Sequence, residues 1–280
     1  MQLFSIHTGL FKLDGGAMFG VVPKSIWNKL NPSDENNLCT WAMRSLLVVC
    51  NDRKILIDTG IGNKQNIDFL KHFHLHGAYN LHDSLYDVGY SVDDITDVIL
   101  THLHFDHVGG AISLNESQEY IPTFPNAHYW IHSEQLNWAL NPNSREKASF
   151  LNENILPLVK SKKLKFIDSQ NDFDPAYIEF YFVDGHTHKQ TLPLLKHPKQ
   201  SILFCADLIP SVGHIPIPYV MSYDMHPLLT LKEKEELLAL ALKKNWLLFF
   251  EHDPLIEVCS LQETPIGVRM KETFKLNHIV

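Results

Sequence analysis

Residues 101–107 read Thr-His-Leu-His-Phe-Asp-His and follow the apolar run Val98-Ile99-Leu100. Three imidazoles and a carboxylate in so short a span are expensive to bury unless each finds a partner. Burial is nevertheless the expectation, because a branched apolar run of this kind reads as a core strand that hands the chain directly to the loop. Alternate side chains of an extended backbone face the same way, so His102 and His104 would point together. Asp106 and His107 lie further along, within reach of a second centre; a pair of divalent ions about 3.5–4 Å apart clamps a water in such a setting.

Later strands place similar groups at equivalent positions. The apolar stretch 177–183 runs into Asp184-Gly185-His186-Thr187, the stretch 201–205 into Ala206-Asp207, and the stretch 246–250 into Glu251-His252-Asp253. Each delivers a potential ligand at its C-terminal end. With His102, His104, Asp106 and His107, the residues His186, Asp207 and His252 make two nearly complete coordination shells of nitrogen and oxygen.

The surrounding chain reads as mixed strands and helices in a single domain over residues 1–280. Residues 45–49 and 54–58, separated by Cys50-Asn51-Asp52-Arg53, read as a hairpin whose second strand ends in Asp58-Thr59-Gly60. The stretch 64–90 has a looser pattern and reads as a helical or looped excursion. Ser91 with Asp93 and Asp94 reads as a helix start, since a side-chain oxygen and early acids suit backbone amides that lack intrahelical acceptors. Residues 127–131 and 164–167 read as further strands, and Thr230-Leu231-Lys232-Glu233 spells a capping box ahead of a helix through KEELLALALKK.

Composition narrows the function classes. A 45% hydrophobic content over 280 residues supports a substantial core. The formal net charge is −8, and Lys and Arg gather into nothing longer than the pairs at 162–163 and 243–244. That argues against a nucleic-acid surface, where clustered positive charge supplies most of the affinity. Cys39, Cys50, Cys205 and Cys259 lie far apart without C-x-x-C spacing, which points to neither a disulfide framework nor a thiolate zinc site. The opening MQLFSIHTGLFKLDGG has no basic start followed by a sustained apolar core, and no run approaches the ~18 apolar residues of a membrane span. The expectation is a cytoplasmic protein acting on a small molecule, with no nucleic-acid or membrane partner. The apolar stretch 18–23, MFGVVP, suits a pocket cover or the contact of a homodimer.

The stretch THLHFDH matches the H-x-H-x-D-H signature of the metallo-β-lactamase-fold hydrolases. DGHT at 184–187, CADL at 205–208 and FEHD at 250–253 resemble the later metal motifs of that fold in the same order. ILIDTG at 55–60 resembles the early strand whose aspartate, Asp58 here, supports the metal site through its ligands. The likeness runs from about 45 to 253, and FEHD is closest in style to the branch of quorum-quenching lactonases, esterases and phosphotriesterases. It implies an α/β fold of αββα type, with two mixed β-sheets packed face to face and helices outside. It also implies that His102, His104 and His186 hold one metal, that Asp106, His107 and His252 hold the other, and that Asp207 bridges them. The cofactors would be two divalent metal ions, zinc first, with manganese, iron or cobalt also suited to imidazole and carboxylate. Metal-bound hydroxide would then cleave a small carboxylic ester or lactone, with Asp106 or Asp207 passing a proton to the leaving group.

Departures from the pattern bear on the substrate. Many relatives read G-H-T-P-G-H, whereas this chain has Gly185-His186-Thr187-His188-Lys189-Gln190. The best-known lactonases place a tyrosine three residues after the bridging aspartate, and here Pro210 stands there. His188, His214, Tyr219 and Tyr223 are the pocket candidates that remain. His72, His74 and His76 mimic a metal motif without an acidic partner or a preceding strand and read as loop residues near the pocket mouth, while His128 and His132 read as structural. Two alternatives stand on the same fold: a mononuclear iron redox enzyme of the persulfide-dioxygenase kind, and a phosphodiester or phosphotriester hydrolase. The flavodiiron branch needs a glutamate where His104 stands, and one major β-lactamase class needs a cysteine where Asp207 stands. The segment 208–226, LIPSVGHIPIPYVMSYDMH, contains neither Lys nor Arg. That favours a neutral acyl substrate over an anionic phosphodiester, which ordinarily calls for a cationic clamp.

Overall fold

Short, wholly buried parallel strands decide where the 101–107 and 251–253 loops leave the sheets. The structure, a computed structural model, describes residues 1–174 and 176–279. They fall into two compact units, Met1–Gly9 with Met43–Asp172, and Leu10–Ala42 with the chain from Phe173 onward.

The strands of the first half of the chain are β1 (Gln2–Asp14), β2 (Leu38–Cys50), β3 (Arg53–Ile57), β4 (Asp97–Ile99), β5 (Ile112–Leu114), β6 (Tyr120–Pro122), β7 (His128–Ile131) and β8 (Leu164–Phe166). Six form a mixed sheet in the order β1-β2-β3-β4-β7-β8, and β5 pairs with β6. Strands β2 and β3 are antiparallel with Leu47 opposite Leu56, and their turn is closed by Asn51 at φ 50°, a conformation asparagine tolerates. From β3 through β4 and β7 to β8 every pairing is parallel. A strand in such a sheet is covered on both faces and therefore carries no polar alternation. Strand β4 fits: Val98 and Ile99, with Leu100 just after it, are fully buried, and Val98 and Leu100 share a core with Leu56, Leu103, Val108, Tyr129 and Ile131. The polar start of β4 is satisfied locally, since Asp97 accepts a bidentate pair from Arg53 at 2.7 and 3.0 Å and a third bond from Trp130 Nε1 at 2.8 Å.

The second unit holds β9 (Ile178–Val183), β10 (Gln190–Leu195), β11 (Ile202–Phe204), β12 (Leu247–Phe249), β13 (Val258–Thr264) and β14 (Gly267–Phe274), in the order β14-β13-β12-β11-β10-β9. Only the central pair β11 and β12 is parallel, with Leu203 opposite Leu248. Their C-terminal ends therefore emerge on the same side and carry Asp207 and His252, the usual placement of functional groups in sheets with parallel strands. Among the described residues no helix is long and apolar enough to cross a membrane, and all four cysteines are buried and unbridged.

Several local expectations change. Strand β2 begins at Leu38 and β1 occupies the N-terminal stretch, where buried Leu3, Ile6 and Phe11 follow no two-residue period and Gly9 sits at φ 126°. The hairpin of β13 and β14 is also additional to the sequence reading. The helix start at Ser91 is one 3-10 turn, Val92–Asp94, closed by a reciprocal Ser91–Asp94 box. The long helix starts at Pro227, not at a Thr230 cap, and runs to Lys243, with proline in the first turn where its missing N–H costs nothing. Thr230 and Glu233 are spent on other partners, described below.

Gly109 packs directly against the Ile61 carbonyl, which an added Cβ would approach to 2.0 Å. Gly109→Ala should therefore lower unfolding free energy by roughly 2–4 kcal/mol, because backbone must move. Gly89→Ala should lose only about 1 kcal/mol, from its left-handed backbone alone, since nothing lies within 4 Å of its Cβ position. Urea unfolding of both variants checks the ranking; equal losses would contradict it.

Candidate metal centre

In the first unit Asp58 organises the 101–107 loop. It directly follows β3 at φ 55°, an uncommon conformation for a side chain-bearing residue, and it is fully buried. Its carboxylate accepts the Thr101 amide at 2.8 Å, the Thr101 hydroxyl at 2.6 Å and His107 Nδ1 at 3.0 Å. The Thr101 hydroxyl, having given its proton to Asp58, accepts from His102 Nδ1 at 3.0 Å. His104 uses the opposite ring atom: its Nε2 donates to Glu146 Oε1 at 2.9 Å. Glu146 is itself fixed by Trp138 Nε1 at 2.7 Å and Asn143 Nδ2 at 3.2 Å.

These partners assign the tautomers. His102 and His107 present Nε2 lone pairs, and His104 presents a lone pair on Nδ1. His102 Nε2 and His104 Nδ1 stand 3.1 Å apart. Two lone pairs so placed repel unless a positive charge sits against them, which is the donor geometry a cation needs. Asp106, in the first turn of the helix Phe105–Val108, brings Oδ2 to 3.9 Å from His107 Nε2.

The second unit repeats the logic. His186 Nδ1 donates to Asp224 Oδ1 at 2.8 Å, and His252 Nδ1 donates to the Ala42 carbonyl at 2.7 Å. In the neutral form both rings thereby turn Nε2 lone pairs toward Asp207, at 3.3 Å from His186 to Oδ2 and 3.0 Å from His252 to Oδ1. A carboxylate only accepts, so this triad too calls for positive charge. Asp207 reaches the position from Ala206 at φ 41°, a strained backbone for alanine.

The helix Pro227–Lys243 anchors this half. Thr230 Oγ1 donates to Asp224 Oδ2 at 2.8 Å. Glu233 accepts the amides of Asp184 and Gly185 at 2.7 and 3.0 Å, and burial raises its pKa. Helix and turn meet so closely that a Cβ on Gly185 would lie 2.4 Å from Thr230 Oγ1.

Other candidates lie elsewhere. His214 is buried with its Nδ1 bonded to Ser211 Oγ at 2.8 Å and its Nε2 to the Met18 carbonyl at 2.8 Å, stacked on Phe19; burial pushes its pKa down to about 3. His188 Nδ1 bonds Asp184 Oδ1 at 2.9 Å, Tyr219 packs edge-on to Phe19, and Tyr223 is exposed. His72, His74 and His76 are exposed. His132 caps the helix Ser133–Leu140 through the Glu134 amide, and Asp253 accepts the Val212, Leu255 and Ile256 amides. The partners Glu146 and Asp224 were not read from the sequence, for they lie 42 and 38 residues from the histidines they orient.

The profile of the Metallo-beta-lactamase superfamily matches residues 44–252, and the chain belongs to that family and has its fold. A probable metal-dependent hydrolase from Staphylococcus aureus has a similar structure, with a TM-score of 0.87, 25% identity and 98% of each chain covered. The dizinc quorum-quenching lactonase AidC, solved with its product N-hexanoyl-L-homoserine, shares the fold at a TM-score of 0.78 and 24% identity, over 98% of this chain and 95% of that one. A probable metallo-hydrolase from Mycobacterium tuberculosis is 29% identical over 115 residues, which span 38% of this chain and about a third, 34%, of that relative.

Since Glu146 fixes the ring of His104, Glu146→Ala should weaken zinc binding by ~10- to 100-fold, and Glu146→Gln, which keeps an acceptor oxygen, by less. Competition titration against a chromophoric chelator reads this directly. Unchanged affinity in Glu146→Ala would make the contact a packing detail.

Proposed function

We propose that the protein hydrolyses a small carboxylic ester or lactone at a centre of two divalent ions, zinc by preference. In this reading His102, His104 and His186 hold one ion, Asp106, His107 and His252 hold the other, and Asp207 is shared. The observation that carries the reading is which nitrogen of each ring is already engaged by a group behind it. The Nδ1–H of His102, His107, His186 and His252 and the Nε2–H of His104 are all bonded to groups behind the rings. Each ring is thus held in a tautomer that offers a lone pair to a cation.

When bound, such a pair of ions supplies hydroxide near neutral pH and a positive charge for the substrate carbonyl oxygen. The chain's own groups do the rest. Asp106 or Asp207 would hold the proton released in the attack and return it to the departing alkoxide. Tyr219 and Tyr223, on the segment 208–226 that lacks Lys and Arg, would line the acyl side. A wall with no Lys or Arg of its own suits a neutral ester or lactone, and the lactonase similarity points the same way.

Metal-loaded enzyme is expected to cleave aryl esters or acyl lactones faster than bis(aryl) phosphodiesters, and chelation should abolish the activity. A preference for phosphodiesters, or oxygen uptake with a persulfide and no ester cleavage, would overturn the assignment.

A further inference from the structure

Lys234 has no place in that chemistry and is yet completely buried. It sits one residue beyond Glu233 on the helix Pro227–Lys243, and its ammonium donates to three main-chain carbonyls of one short stretch: Pro216 at 3.0 Å, Ile217 at 3.2 Å and Tyr219 at 2.7 Å. Burial draws its pKa from 10.5 down to about 7, against the pull of the Asp224 carboxylate. Placing a lysine here is therefore costly. What it provides is three charge-assisted bonds, roughly twice as strong as neutral ones, to carbonyls that lie outside any helix or strand, of which that of Pro216 also accepts the Tyr219 amide at 3.0 Å.

The rest of the segment is tied down at both ends. The Pro210 carbonyl accepts the His252 amide at 3.1 Å, and the Val212 amide donates to Asp253 at 3.1 Å. Ser211 and Met18 hold His214, and the Ser222 amide donates to the Ala17 carbonyl at 2.7 Å. Gly20 lies so near that a Cβ there would come within 2.4 Å of the Val220 carbonyl. Asp224 closes the segment by bonding both His186 and Thr230. Between these ties the stretch 216–219 contains two prolines and no regular structure, and Lys234 is what gathers its carbonyls.

We propose that Lys234 is a positioning residue: it clasps the 212–226 segment into a preformed wall of the substrate site, so that selection of the acyl group rests on a fixed shape and not on a closing lid. The substrate role rests on the ester or lactone reading above; the clasp itself does not. Thr230, Glu233 and Lys234 follow one another at helical spacing, so one helix sets both the orientation of His186 and the shape of the wall.

Hydrogen exchange on the wild-type full chain tests the clasp without any variant. The amides of Ile215, Tyr219, Ser222 and Asp224, all hydrogen-bonded, should exchange far more slowly than those of the exposed stretch 74–79. Lys234→Met should then speed exchange in 212–224 and leave zinc content unchanged. With an ester substrate KM should rise by about tenfold or more, since the ordering of the wall must now be met on binding, while kcat stays within about threefold. Wild-type exchange in 212–224 as fast as in 74–79 would overturn the clasp, whether or not Lys234→Met folds. Slow exchange with no change of KM in a folded Lys234→Met would overturn its role in selection. If the wild type cleaves no ester or lactone, the functional reading fails alone, and the exchange result still decides the clasp.

Discussion

Imidazole nitrogens with lone pairs aimed at another acceptor are the constraint on which the rest depends. His102 Nε2 faces His104 Nδ1 at 3.1 Å, and His186 and His252 face the two oxygens of Asp207 at 3.3 and 3.0 Å. Such contacts are unfavourable unless positive charge is supplied. The fold spends buried carboxylates and carbonyls to keep them: Asp58, Glu146, Asp224 and the Ala42 carbonyl each take the proton on the far side of a ring. A ring free to turn would escape by presenting its N–H. These rings are locked, and that is what separates a metal-binding arrangement from a group of buried histidines.

The strands explain how the locks are aligned. Parallel pairing of β3 with β4 sends the loops carrying Asp58 and residues 101–107 out at one end of their sheet, and that of β11 with β12 does the same for Asp207 and His252 in theirs. Asp58 can then reach both Thr101 and His107 from one backbone position, and Asp207 can stand beside His252. The left-handed conformations of Asp58 and Ala206 are the local cost of aiming a carboxylate from the first residues of a tight turn.

The loops that carry the candidate residues were legible because each is an apolar run followed within a few residues by histidine or aspartate, a local pattern. The supporting residues were not, because their partners are set by tertiary packing: Glu146 lies in the polar stretch NPNSREK at 141–147, and its role comes from the bonds to His104 and Trp138. Thr230 and Glu233 misled for the same reason. Their spacing spells a cap, but the hydroxyl goes to Asp224 and the carboxylate to two amides of the His186 turn, so the helix starts earlier at Pro227. Strand β1 escaped notice because its buried residues Leu3, Ile6 and Phe11 follow no two-residue period. His214 looked available for a substrate by residue type, and only the bonds to Ser211 and Met18 reveal that both of its ring nitrogens are engaged.

The most direct test is metal stoichiometry. Elemental analysis of protein purified without chelator and reconstituted with zinc should give about two ions per chain, as the proposed shared carboxylate and two sets of three ligands require. The same measurement on His252→Ala should give about one, with the fold intact by circular dichroism. A ceiling of one ion in the wild type, or two retained in His252→Ala, would contradict the dinuclear centre.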